Sequence, residues 1–415
     1  MEALRGMLRL RRQWAGAVRR LSSAAHVPIV STLEVPRPGD TARVLASWLE
    51  QNPHARVVAL LGKADGAPAG AQPAGTVVCS EVSRLLSAHA PNCDRPAAIM
   101  MSAGAEGVEW PRLLVFCHNA PPPAALDARA QASPDEGEAR LAFACAFTRE
   151  LAPHELGTLA QVEATRQAVV AACAEARLDP RTDLCLAEVQ CPLLSDAQIE
   201  AARAAGAPAL ALTSAESAGL SRGASALGVG SATGEVGRVA PEDVCSALLR
   251  LRSDMAAASA RPGLSRSEVL VIGNATGSAS TLRAARAVMA DAADVASVAR
   301  ALGEAGLDAS AGRLSANAHE RLVCALAKAD GAAALDQLPL AGRWTDSDAR
   351  ASQFACARVG GALRRLVGDA GPAGRIYVSG GAEHQGPPGG GPVCIIFSCL
   401  LGDAFWRHVR EGYFP

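Results

Sequence analysis

The stretch VVALLGKADG, residues 57–66, returns almost unchanged as LVCALAKADG, residues 322–331. A second pair follows in the same order, AAIMMSAGAEG at residues 97–107 and GRIYVSGGAEH at residues 374–384. In each copy an apolar strand ends in a lysine, and a later apolar strand ends in a serine followed by small residues. Because order and spacing are kept, we interpret the two copies as an internal repeat of one structural unit.

The chain between the two copies is long enough for a third, and weaker echoes of both stretches occur there. They are LCLAEVQCPLL around Gln190 and MAAASARPG around Ser259. Ala-rich helical segments alternate with the apolar strands, which favours helices packed on a sheet. The sequence therefore predicts three related α/β domains. Their predicted bounds are residues 27–122, 139–262 and 263–400, with a Pro- and Ala-rich linker at 123–138.

Composition excludes several classes of protein. The 415 residues carry 40 basic and 41 acidic side chains, a balance that argues against a dedicated nucleic-acid binder. Hydrophobic residues make up 49% of the chain, as in a folded protein, yet no apolar run is long enough for a transmembrane helix. The 12 cysteines show no zinc-ligand spacing, and we interpret them as small core residues of a reducing compartment.

The two ends differ in character from the rest. Residues 1–26 form the first of these segments, and the first 25 residues contain six arginines and one acid. This composition is typical of a mitochondrial targeting segment that forms a basic amphipathic helix. A basic helix with no targeting role is the alternative. Residues 401–415 hold four aromatic side chains and are predicted to dock, either on a partner or back onto their own domain.

The repeated lysine and serine positions are the candidate chemical groups: Lys63 with Ser102, and Lys328 with Ser379. A serine hydroxyl becomes a nucleophile when a nearby base takes its proton, and a buried lysine can be that base. The glycines after Ser379 would let backbone N–H groups face a developing oxyanion. A single Ser-Gly-Gly is more often a simple turn, but its repeated pairing with a lysine favours the catalytic interpretation.

The segment VSGGAEHQGPPGGGPV, residues 378–393, resembles the C-terminal signature of the ring-opening amidohydrolases, the cyanuric acid hydrolase and barbiturase family. Shorter matches run in order along the chain: GKADG, MSAGAEGV, AFTREL, CPLL, SRGASALG, AKADG and TDSD. The resemblance extends from about Ser31 to Ile396. It implies three pseudo-threefold-related α/β domains around a central barrel, the Toblerone-like fold, with one lysine, one serine and one arginine from each domain at a site on the axis.

Several positions depart from the pattern that this resemblance implies. The lysine expected in the second domain, where the family's chemistry is centred, is Gln190, whose amide cannot serve as a base for Ser259. The glycine expected two residues after Ser259 is Arg261, whose bulk is expected to obstruct the oxyanion pocket. The first domain has no arginine near Gly75, and the third has Gln353 instead, so that only Arg222 is kept.

The resemblance also implies a cation site in the glycine-rich loop. Backbone carbonyls and one glutamine side chain would bind Mg²⁺ or Ca²⁺ together with a carboxylate, as oxygen ligands suit these ions. The alternative is that the loop is kept only for its turn geometry. No organic cofactor is expected. The residues of the predicted cation site are Asp330, Ala382, Gln385, Gly386, Pro387 and Gly390.

Taken together, these departures favour a catalytically degraded family member, with Lys63, Ser102, Gln190, Ser259, Lys328, Ser379 and Arg222 as vestiges. The main hypothesis is a structural subunit of a respiratory complex or the ATP synthase, in the mitochondrial matrix or at the matrix face of the inner membrane. Its end segments would bind protein subunits or a membrane surface. The second hypothesis is an active ring-opening hydrolase of a cyclic amide, such as cyanuric or barbituric acid, that uses Lys328 with Ser379 or Lys63 with Ser102. The third is a metabolite-binding module.

Overall fold

The described part of the chain forms twelve strands in three four-stranded sheets. The computed structural model describes residues 27–36, 38–64, 74–90, 96–103, 112–119, 137–245, 251–331, 349–368 and 375–399. The strands are β1 Val27–Glu34, β2 Arg56–Ala64, β3 Ala98–Ala103, β4 Arg112–Asn119, β5 Ala139–Phe147, β6 Leu184–Leu193, β7 Ala256–Pro262, β8 Glu268–Thr276, β9 Leu282–Met289, β10 Leu322–Lys328, β11 Ile376–Ser379 and β12 Gly391–Ser398.

All three sheets share one topology. Their strand orders are β1-β4-β2-β3, β5-β8-β6-β7 and β9-β12-β10-β11. In each sheet the second and third strands in chain order are parallel, and the other neighbours are antiparallel. A parallel pair needs a long crossover, and each crossover contains a helix. The threefold α/β repeat predicted from the sequence is therefore confirmed.

Eight helices cover the described part of the chain. They are α1 Thr41–Gln51, α2 Ala74–His89, α3 Leu159–Ala176, α4 Asp196–Ala204, α5 Ser214–Thr233, α6 Val295–Glu304, α7 Ala316–Arg321 and α8 Ala349–Val367. Local sequence sets several of their ends. The Thr213 hydroxyl accepts from the backbone N–H of Glu216 where α5 begins, and Gly234 ends that helix in the left-handed conformation.

The sheets use their two faces differently. The outer face of each sheet packs against the helices of its own unit. The inner faces of all three sheets meet in one shared apolar core, where the rings of Phe116 and Phe143, from different units, pack edge to face at 5.3 Å. Strand residues alternate between the two faces, so every second residue of a strand points into the central barrel.

The boundary between the second and third units differs from the prediction. Strand β8 pairs with β5 and β6, so the second unit extends at least to Thr276 rather than ending at residue 262. The Arg-Pro-Gly break at 261–263 marks the end of β7 at Pro262, and residues 263–267 connect β7 to β8 of the same sheet.

The two end segments, 1–26 and 401–415, and most of the 123–138 linker lie outside the described residues. Among the helices of the described residues, none has the length and apolar character to cross a membrane.

Candidate functional site

The strand register brings the repeated lysine and serine positions side by side. Lys63 is paired with Ser102, Gln190 with Ser259 and Lys328 with Ser379. Each pair lies toward the carboxyl ends of two parallel strands. Paired residues of neighbouring strands share a face. Of the residues two positions earlier, five belong to the inner core: Leu61, Met100, Ala257, Leu326 and Tyr377. The three pairs therefore form one layer at the end of the central barrel.

Lys328 joins the third unit to the second. Its side chain is buried, and its Nζ lies 2.5 Å from the carbonyl oxygen of Ala258. The same Nζ lies 3.4 Å from Ser379 Oγ and 3.5 Å from Ser259 Oγ. One amine is thus within reach of two serine hydroxyls, one in its own unit and one in the neighbouring unit.

Lys63 reaches the third unit in a similar way. Its Nζ donates to the carbonyl oxygen of Val378 at 2.5 Å and lies 4.8 Å from the centre of the Tyr377 ring. The Tyr377 hydroxyl is 2.9 Å from Ser102 Oγ. Both lysine amines therefore meet the end of strand β11, one at the residue before Ser379 and the other at Ser379 itself.

These are the two lysines of the entire chain, in which all other basic side chains of the 40 are arginines. Arginine stays protonated in proteins, whereas a lysine can lose its proton when it is buried. Both lysines of this sequence thus lie at the end of the central barrel, where a side chain that can lose its proton is available as a base.

Burial changes the proton affinity of Lys328. Desolvation lowers the pKa of this lysine to about 8, and the positive charge of Arg222 acts in the same direction. The negative charges of Glu188 and Glu383 oppose the shift. A lysine with such a pKa has a useful fraction of free amine near neutral pH, as a general base requires.

Gln190 occupies, in the second unit, the position that a lysine holds in the other two, but its amide cannot act as a base. Its Nε2 donates to the backbone carbonyl of Ser259 at 3.0 Å. Ser259 nevertheless has an amine within reach, because Lys328 Nζ of the neighbouring unit lies 3.5 Å from its Oγ.

Arg222 lies against the loop that follows Ser379. Its guanidinium makes two hydrogen bonds to the Glu383 carboxylate, at 2.8 and 2.7 Å. Gly381 has a φ of +76°, and a Cβ built there would lie 2.6 Å from Arg222 Nε. Glycine is therefore needed at this position both for its backbone conformation and for the close approach of the guanidinium.

Arg261 is directed toward the first unit. Its side chain is buried, and its Nη2 lies 3.7 Å from Glu268 Oε1. The other oxygen of Glu268 accepts from the backbone N–H of Ile99 at 2.8 Å. Desolvation raises the pKa of Glu268 to about 7, and Arg261 opposes the rise. Arg261 and Glu268 thus lie at the border of the first and second units. Gln353 lies in the first turns of α8.

Three residues near the site escaped the sequence argument: Glu188, Tyr377 and Glu383. Glu188 is a single acid in the apolar strand LCLAEVQCPLL, which is the signal that could have singled it out. Tyr377 lies on β11, two residues before Ser379, and in the sequence it looks like an ordinary aromatic core residue. Glu383 lies within the quoted family signature, but its role depends on Arg222 from a distant helix.

The predicted cation loop is held by protein groups. Gln385 Oε1 accepts from Ala258 N–H at 2.6 Å, and Gln385 Nε2 donates to the carbonyls of Gly381 and Glu383 at 3.1 and 3.3 Å. Asp330 Oδ2 accepts from Gly389 N–H at 2.7 Å. Both ends of the Gln385 amide thus bind protein groups, the cation site stays a prediction, and no chemical step below involves a cation. No group of three or more His, Cys, Asp or Glu side chains suited to a metal occurs within the described ranges.

The loop also docks the third unit on the second. Ser253 and residues 384–386 exchange backbone hydrogen bonds at 2.9 Å in both directions. His384 Nε2 accepts from Cys245 N–H at 2.8 Å. The other residues predicted as carbonyl ligands, Ala382, Gly386, Pro387 and Gly390, therefore belong to a loop with an evident structural task.

Known proteins resemble the chain over nearly its whole described length. A family model described as amidohydrolase ring-opening protein matches residues 29–398. The cyanuric acid amidohydrolase of Ectopseudomonas oleovorans is 38% identical over 378 residues, which cover 88% of this chain and 98% of that protein. A cyclic amide hydrolase of Azorhizobium caulinodans is 36% identical, with 88% and 98% coverage. A solved structure of cyanuric acid hydrolase, 32% identical, covers 90% of this chain and 100% of its own, with a TM-score of 0.75.

These relatives contradict the main functional hypothesis from the sequence. They are bacterial proteins named as enzymes, and they match this chain over most of its length. The hypothesis of a mitochondrial structural subunit, in the respiratory chain or the ATP synthase, is wrong, and so is the mitochondrial localisation. The hypothesis of an active ring-opening hydrolase fits the relatives better. Docking of the end segments onto a partner stays a prediction, because both segments lie outside the described residues.

Proposed function

Because the chain belongs to the ring-opening amidohydrolase family, we propose that it is an active enzyme that hydrolyses a C–N bond of a cyclic amide. The observation that carries this proposal is the placement of the two lysines. Both amines meet the end of strand β11, and the more deeply buried one lies 3.4 Å from Ser379 Oγ. A chain that otherwise uses arginine has kept lysine where deprotonation is needed.

Ser379 is the proposed nucleophile and Lys328 the proposed base. Ser379 Oγ attacks a ring carbonyl carbon while Lys328 Nζ accepts the hydroxyl proton. The C–N bond of the resulting tetrahedral intermediate then breaks, and the ring nitrogen takes the proton from the Lys328 ammonium. Water hydrolyses the ester on Ser379 with Lys328 again as base, and the proton returns to Ser379 Oγ. The net reaction consumes one water and opens the ring.

Positive charge and backbone groups around Ser379 suit the charge that develops on the carbonyl oxygen. The Lys63 amine lies at Val378, and the Arg222 guanidinium lies against Gly381. A preorganised donor near a developing oxyanion typically contributes 10²–10³-fold to kcat. Lys63 and Arg222 are the proposed oxyanion and carbonyl contacts.

Ser259 is the matched alternative to Ser379 as nucleophile. Its Oγ is almost as close to Lys328. Two observations favour Ser379: the second lysine also meets its strand, and two glycines follow it, whereas Ala260 and Arg261 follow Ser259. Lys328 thus serves the third unit, and Ser259 is proposed to contact substrate without reacting.

The proposed substrates are six-membered cyclic amides such as cyanuric acid or barbituric acid. The experiment incubates the purified full chain with each compound and follows loss of ring absorbance together with the opened product, which is heavier by one water. From cyanuric acid that product is a carbamic acid, so the compound left after its loss of CO2 also counts as turnover. Ser379→Ala should lower kcat by about 10³-fold or more, as for other nucleophile deletions. Ser259→Ala removes a hydroxyl at nearly the same distance from Lys328 and should leave kcat within about tenfold.

The outcomes separate the claims. Absence of turnover on a broad panel of cyclic amides would overturn the proposed activity. Turnover that survives in Ser379→Ala but is lost in Ser259→Ala would keep the activity and overturn the assignment of the nucleophile.

A further inference from the structure

Glu188 is a buried carboxylate in the barrel, one layer below the lysine and serine positions. It lies on β6, two residues before Gln190, and is 5% exposed. Its strand neighbours are Ala257 on β7 and Leu270 on β8, which both belong to the inner core. Glu188 therefore shares the inner face of the barrel.

The threefold repeat shows that this acid is specific to the second unit. Two residues before Lys63 stands Leu61, and two residues before Lys328 stands Leu326, both in the inner core. The second unit reverses the pattern, because it has an acid in the lower layer and an amide in the upper layer. The second unit thus lacks the lysine ammonium of the other two units and carries the Glu188 carboxylate instead.

The charged groups around the axis explain why an anion is useful here. Arg222 has the Glu383 carboxylate beside it, and Arg261 has Glu268. Lys328 projects from the third unit onto the carbonyl of Ala258, next to the strand partner of Glu188. An uncompensated buried ammonium is costly, so two lysines in one barrel require a negative charge close by.

We infer that Glu188 is the shared counter-charge of Lys63 and Lys328, a positioning residue that the second unit supplies in place of its own lysine. It acts through the two amines, and this inference rests on the proposed function for its catalytic meaning. Without the carboxylate, the lysines would repel each other and lose part of the positive charge that the barrel now accommodates.

Mutual electrostatic effects support this placement. Burial raises the pKa of Glu188 to about 7, and the charges of Lys328 and then Lys63 oppose the rise. The Glu188 charge also helps to keep the pKa of Tyr377 high, behind desolvation as the main cause. Other elements present further charged or titratable groups to Lys328: Arg222 on α5, Glu383 after β11 and Cys356 on α8.

The chain's lysine content makes a direct test feasible. Protein labelled with ¹³C at the lysine ε carbon should give two resonances, which Lys63→Met and Lys328→Met assign. In Glu188→Gln, Lys328 should titrate at a pH lower than in the wild type by about 1 unit or more, and the Lys63 resonance should move in the same direction. Glu188→Asp keeps the charge and should stay close to the wild type. Glu188→Leu, which copies Leu61 and Leu326, is a second neutral variant that should fold.

This measurement needs no turnover, so it can fail independently of the proposed activity. Lysine titrations unchanged in both neutral variants would overturn the inference even if the enzyme is active. If the enzyme opens cyclic amides, the acid limb of its kcat/KM profile should shift to lower pH in Glu188→Gln and return in Glu188→Asp. A structural role alone would make Asp and Gln equally harmful and leave the profile in place.

Discussion

The pH dependence of ring opening is the sharpest test of Lys328 as the base. The amine must be neutral to accept the serine proton, and desolvation lowers the pKa of Lys328 to about 8. At pH 7 a lysine with that pKa is about one tenth neutral, whereas an ordinary lysine is neutral in about one molecule in 3,000. Burial in the barrel therefore raises the free-base fraction about 300-fold at pH 7.

The experiment varies the assay pH and measures kcat/KM, which reports the protonation state of the free enzyme. We expect kcat/KM to rise about tenfold from pH 6 to pH 7, to rise more slowly through pH 8, and to be level near pH 9. Measurements should use overlapping buffers at one ionic strength, with circular dichroism at each pH to verify that the protein stays folded.

Lys328→Met is the control for this profile. It should lower kcat/KM by about 10²–10⁴-fold and remove the rise between pH 6 and 8. Lys63→Met also removes an amine from the site but should keep the slope. A wild-type profile that is flat or falling across pH 6–8 would refute the assignment of Lys328 as the base, and so would a profile that Lys328→Met leaves unchanged in shape.

Three further predictions concern the surroundings of the site. Gly381→Ala should lower kcat/KM by at least about tenfold, because its Cβ would meet Arg222 and the residue has a positive φ; Gly303→Ala, in open space on α6, should not change it. Glu268→Gln should reduce the loss of thermal stability on going from pH 5 to pH 8. The pKa of Glu268 in the folded protein, about 7, lies above its ordinary value of 4.5, so in the wild type the stabilising contribution of the protonated acid is lost as pH rises through this range. Gln385→Ala should destabilise the protein by about 1–3 kcal/mol in thermal unfolding, because Ala258 N–H loses its buried acceptor; a melting temperature equal to that of the wild type would contradict this contribution.

Much of the fold could be read from the sequence because the repeat unit is local. The pairing of Lys63 with Ser102, or Lys328 with Ser379, lies within one unit and repeats along the chain. The boundary at residue 262 was misplaced because an Arg-Pro-Gly break looks the same between two strands of one sheet as between two units. Strand β8 has no local feature that assigns it to the preceding unit.

The site was harder to predict because the closure of the barrel decides it. Reasoning within the second unit alone left Ser259 without a base once Gln190 replaced lysine. In the structure Lys328 of the third unit approaches Ser259. The residues next to Lys328 in the sequence do not indicate which unit its long, flexible side chain contacts. Glu188 was missed for the same reason, since the amines it faces come from the first and third units.

Because the chain has two lysines, cleavage after lysine can report where the protein unfolds. A protease that cuts only after lysine has two target bonds in this chain, after Lys63 on β2 and after Lys328 on β10. Both strands lie between neighbours in their sheets, so neither bond can enter a protease while its unit is intact. The first cut reports opening of the first unit and the second cut opening of the third, and the fragment sizes tell them apart. Native-state proteolysis can therefore measure whether the three units open together or one at a time.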